Sequence, residues 1–139
     1  MRVYLAATVD QLRRLWETSG TDEETEGFAA TPELRSALGQ LGDDELEFAL
    51  AVAAAEASAA MGGVGRVEPS HRRVVLVADV DDARVRPDRE TPGAVVVGGR
   101  VSLSDVVAVL TDPPGTAARA RPGDELSWFA TQEIGDLLA

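Results

Sequence analysis

"RRVVLVADV", Arg72 to Val80, is the stretch whose reading decides the fold. After its two arginines it is an unbroken Val/Leu-rich run, with no polar residue until Asp79. A strand with one wet face alternates apolar and polar residues, whereas a covered central strand reads as continuous apolar sequence. The segment therefore predicts a central strand.

Three other stretches extend that reading. "RVYLAAT" (2–8) is short and apolar and predicts a buried strand. "GAVVVGGRV" (93–101) predicts another, with Gly98-Gly99 as a hairpin turn. "DVVAVLTD" (105–112) is β-branched enough for a further strand, with a helix starting at Ser104 as the alternative; "DPPG" ends it.

Helix signals lie between them. Thr8 and Gln11 form a capping box. Beyond it Val9, Leu12, Leu15 and Trp16 share one face, which predicts Trp16 in the core. Thr31, Pro32 and Glu33 mark a second start. A long alanine-rich helix is expected from about Asp44, with Glu47 completing its box, to Met61, where Gly62-Gly63 ends it. Residues 18–27, "TSGTDEETEG", predict a mobile acidic linker. A last helix is expected from about Asp124. The predicted fold is a single α+β domain over residues 1–139, of order β-α-α-α-β-β-β-α, with a three- or four-stranded sheet covered by helices.

Composition bounds the function. The net charge is −11, from 24 acids against 13 bases. The arginines are scattered, so neither nucleic acid nor an anionic membrane is an expected partner. The absence of cysteine excludes thiol chemistry and disulfides and fits a reducing compartment. The N-terminus carries no secretory signal pattern and no stretch is long enough to span a bilayer, so a cytoplasmic location is expected. Every base is an arginine, asparagine is absent and Ile134 is the single isoleucine. That usage predicts a G+C-rich genome. With no lysine there is no Walker-type loop, Schiff base or lysine general base. No cofactor is expected.

Only six residues are aromatic, and two of them, Trp128 and Phe129, adjoin in "ELSWFATQEIGDLLA" (125–139). Read as a helix at about 100° per residue, this segment places Leu126, Phe129, Ala130, Ile134, Leu137 and Leu138 on one face. Trp128, Thr131, Gln132 and Gly135 fall opposite, and Glu133 falls among the apolar positions. A tryptophan facing away from the core predicts a partner or ligand contact, here Trp128, Thr131, Gln132 and Glu133. A covering element over Trp128 is the structural alternative.

The acids Asp79, Asp81 and Asp82, at the carboxyl end of the central strand, are a candidate Mg²⁺ or Mn²⁺ site; acids leaving a strand are also ordinary turn formers. The one histidine, His71, has no nucleophile elbow to serve. "GGVG" (62–65) follows a helix and precedes a strand, the reverse of a phosphate loop.

The opening "MRVYLAAT", the central "RRVVLVADV", "VSLSDVVAVLTD" and the closing "LSWFATQEIGDLL" together resemble a family of small uncharacterised actinobacterial proteins, a domain of unknown function. Members often have "VYLPAT" where this chain has Ala6, and the stretch 113–123 is shorter here. The resemblance implies family membership and transfers no catalytic residue. The expected function is a non-catalytic cytoplasmic interaction or regulatory module that self-associates or binds another protein. The alternative is a carboxylate-dependent metal-binding protein or enzyme.

Overall fold

The structure is a computed structural model that describes residues 1–61, 72–112 and 125–138. Its elements are β1 (Arg2–Ala7), α1 (Val9–Thr18), β2 (Glu24–Ala29), α2 (Pro32–Ala37), α3 (Asp43–Met61), β3 (Val74–Asp79), β4 (Val85–Pro87), β5 (Ala94–Gly98), β6 (Val106–Thr111), β7 (Ser127–Phe129) and α4 (Ile134–Leu137). The strands form one antiparallel sheet in the order β4-β5-β2-β1-β3-β6-β7. The α+β class stands. The three- or four-stranded sheet does not, because seven strands pair.

Register sorts the side chains into two layers. Val3 faces Ala78, Leu5 faces Leu76 and Ala7 faces Val74 across β1 and β3. These residues pack with Val9, Leu12 and Leu15 of α1 and with Ile134 and Leu137 of α4. The alternate positions, Tyr4, Val75, Val77 and Ala108, pack against Leu34 of α2 and Leu46, Leu50 and Ala54 of α3. Helices therefore cover both faces of β3, and five of its six residues are buried. This is the physical cause of its continuous apolar sequence.

The caps read at Thr8 and Thr31 form, whereas the box read at Asp44 and Glu47 does not, because α3 begins at Asp43 and places Asp44 inside its first turn. The Gln11 N–H donates to Thr8 Oγ1 at 3.1 Å, and Gln11 Oε1 accepts from the Thr8 N–H at 2.9 Å. The Leu34 N–H donates to Thr31 Oγ1 at 3.2 Å. Two buried polar contacts tie the elements together, one between α3 and the sheet and one between neighbouring strands. Ser58 of α3 donates to the Ala7 carbonyl at 2.6 Å and accepts from the Val74 N–H at 2.8 Å, a hydroxyl set into the end of the β1–β3 ladder. Arg73 forks onto Asp112 at 2.6 and 3.1 Å with both side chains buried.

Several expectations need correction. The acidic stretch 18–27 is not a linker throughout, since Glu24 to Gly27 begin β2 in the middle of the sheet. Gly98-Gly99 does not turn a hairpin into the next strand. Strand β5 lies between β4 and β2, while β6 lies beyond β3. The strand expected in 105–112 does form, as β6 over Val106–Thr111 paired with β3 on one side and β7 on the other, and the alternative helix from Ser104 is only a 3₁₀ turn at Leu103–Asp105. Trp16 is not core. The residue is 39% exposed, and its ring lies against Gly135, where a Cβ would come within 3.2 Å of it. The terminal segment is a strand, a 3₁₀ turn at Thr131–Glu133 and one short helix rather than a single helix from Asp124. His71 and the Gly62–Gly65 readings lie outside the described residues.

Candidate functional site

Trp128 sits on β7, opposite Leu110 of β6, and so projects on the α3 side of the sheet. It is 63% exposed. Phe48, on the outer flank of α3, is 59% exposed. Both line one groove of about 500 Å³ between α3 and the β6–β7 edge, with Tyr4, Ala51, Val77 and Leu110 also bordering it. Val107 joins them at its rim. It is the residue left over where β6 shifts register, as Ala108 pairs with Val77 and Val106 with Ala78. A bulge of this kind re-aims a side chain, and Val107 is 40% exposed.

The groove is acidic at its margin. Asp44 and Glu47, in the first turns of α3, border it together with Arg2. The Arg2 guanidinium is committed to Asp79, with both of its hydrogen bonds at 3.0 Å. Those bonds hold the Asp79 carboxyl below its ordinary pKa and raise that of Arg2. At the groove floor burial pushes the Tyr4 hydroxyl pKa up, and the charge of Glu47 adds to the effect. An apolar, aromatic-flanked groove with a carboxylate margin suits a partner that brings apolar and basic groups together.

Of the other terminal residues expected beside Trp128, two are spent on local structure. Thr131 donates to the Val106 carbonyl at 2.8 Å, and Glu133 Oε2 accepts from the Ala130 N–H at 2.7 Å. Gln132 is exposed beside them. The helical wheel places Thr131 and Gln132 with Trp128 and Glu133 on the other face, but the strand at 127–129 gives Trp128 different neighbours: Phe48 and Val107. No spacing signal links position 48 to position 128. The pointer present in the sequence was Phe48 itself, a large aromatic in an alanine-rich helix.

The aspartates at the end of β3 are each engaged separately. Asp79 pairs with Arg2, Asp81 accepts from the Ala83 N–H at 3.1 Å, and Asp82 lies 2.9 Å from the Met1 amino group. Among the described residues no three His, Asp or Glu side chains gather as metal ligands.

Comparison with known proteins agrees with the resemblance of the four segments. The chain belongs to DUF6912, a family of unknown function, whose profile matches residues 1–138. No curated protein and no solved structure matches it. No helix among the described residues is long and apolar enough to cross a membrane.

Proposed function

We propose that this chain is a non-catalytic cytoplasmic interaction module, and that it binds a protein segment combining apolar and basic side chains through the Trp128–Phe48 groove. The observation that carries the reading is the exposure of two large aromatics, 63% and 59%, on one groove. Exposed aromatics at the centre of an apolar patch are the usual anchors of an interface. The acidic margin at Asp44 and Glu47 favours a basic partner over a second copy of this chain, which would bring the same acids to the contact. Arginine in place of lysine and the lack of cysteine support the cytoplasm of a G+C-rich actinobacterium as the setting.

The test is site-directed. A photo-crosslinker at position 128 in the host identifies the neighbour, which is then purified and titrated against the parent chain, Trp128→Ala and Phe48→Ala. Each variant is expected to keep its melting temperature and to weaken binding by about 2 kcal/mol, roughly thirtyfold. Asp44→Asn with Glu47→Gln should slow association and flatten its salt dependence. A partner that binds the Trp128→Ala, Phe48→Ala chain as tightly as the parent overturns the reading. A salt-insensitive dimer that both variants dissociate replaces the basic partner with a second copy.

A further inference from the structure

The sheet forks. Strand β1 pairs with β2 only at Val3↔Ala29, Tyr4↔Phe28 and Leu5↔Gly27. Beyond that, β1 continues along β3 as far as Ala7↔Val74, and β2 continues along β5 as far as Glu24↔Gly98. The two strands part company because each follows its other neighbour. The register stops before an Ala6–Glu26 pair, so the Ala6 carbonyl and the Glu26 N–H have no strand partner at the apex. Gly27 is the pivot: a Cβ there would lie 2.5 Å from the Tyr4 carbonyl oxygen, so the strands touch at that point and diverge after it.

A cleft of about 570 Å³ fills the fork, within the range typical of small-molecule sites, about 300–1,000 Å³. Its floor is hydrocarbon. On the α3 side Phe28 and Val96 lie beside Ala57 and Met61 of α3. On the α1 side the hydroxyl oxygen of Thr25 is buried without a hydrogen-bond partner among the described residues. The mouth is acidic, with Asp22, Glu24, Glu26 and Asp88 against Arg14 and Arg86. Both arginines are already paired, Arg14 with Asp22 at 3.2 Å and Arg86 with Glu24. Glu26 and Asp88 are left without an arginine among the described residues.

We propose that this fork binds a small organic amine, its protonated nitrogen held by Glu26 and Asp88 at the mouth and its hydrocarbon body lying over Phe28 and Val96 toward Met61. The ammonium donates to the carboxylates, acceptors that a cation satisfies and an anion does not. Phe28 adds a π face for the cation or for an aromatic body. The two arginines do not make the mouth an anion site, because their charges are matched by Asp22 and Glu24. This proposal is independent of the groove at Trp128.

Calorimetric titration of the full chain tests it with 2-phenylethylamine and hexylamine, against 3-phenylpropionate and 2-phenylethanol as matched anion and neutral compounds. Saturable binding of an amine is expected, weakened about tenfold or more by Glu26→Gln with Asp88→Asn and unaffected by Trp128→Ala. Amide shifts at Ala6, Thr25 and Glu26 should accompany the titration. Ala57→Phe should block the fork; where it fails to fold, the Glu26→Gln, Asp88→Asn chain alone decides. Absence of saturable amine binding overturns the proposal. Equal affinity for 3-phenylpropionate overturns it, and so does binding indifferent to the loss of both acids.

Discussion

Ser58 shows how a single residue joins two layers. It is 4% exposed on an alanine-rich helix, and it supplies one oxygen to two strand groups at once. Ser58→Ala removes the partner of the Ala7 carbonyl and of the Val74 N–H while changing almost no volume. An unsatisfied buried main-chain group costs about 1–3 kcal/mol, so urea unfolding should show a loss of about 2 kcal/mol or more at unchanged m-value. A loss under about 0.5 kcal/mol would mean the strands close the ladder without the hydroxyl. The sequence placed this serine in a helix but gave no sign that it points at a strand end. Thr8 and Thr31 were legible for the opposite reason, since a cap and its target lie three residues apart.

Among the elements, β2 was the hardest to read. "ETEGFA" carries two glutamates and a glycine, yet it lies in the sheet with strands on both sides. Both of its glutamates are exposed, and its glycine is required by the approach of β1. Gly27→Ala puts a methyl 2.5 Å from a carbonyl that cannot rotate away. The expected cost is about 1–3 kcal/mol, read as a fall of several degrees in melting temperature. An unchanged melting temperature would show that the strands can separate at the pivot. The segment of β7 reads as helix because "LSWFATQEI" has helical periodicity, while its neighbour β6, paired from 16 to 20 positions back, decides its conformation. Tertiary pairing overrode the local pattern.

Over the whole molecule, burial is graded across the sheet. Strands β1 and β3 have helices on both faces, whereas β4 is a three-residue edge with half-buried or exposed side chains. Hydrogen exchange should follow that gradient, slowest for β1 and β3 amides and fastest for β4. Equal protection across the sheet would contradict the layering. The sequence by itself determined the covered central strand, the caps of α1 and α2, the long alanine-rich helix and the α+β class. All of these rest on contacts or periodicities within a dozen residues. It also marked Trp128 as out of place on its own helix wheel. Only the tertiary structure decided that seven strands pair, that Trp128 keeps company with Phe48 and Val107, and that β1 and β2 part at Gly27. Those outcomes depend on which distant segment each strand accepts as a neighbour, and main-chain hydrogen bonding, being the same for every residue, leaves no mark of that choice in the side-chain pattern.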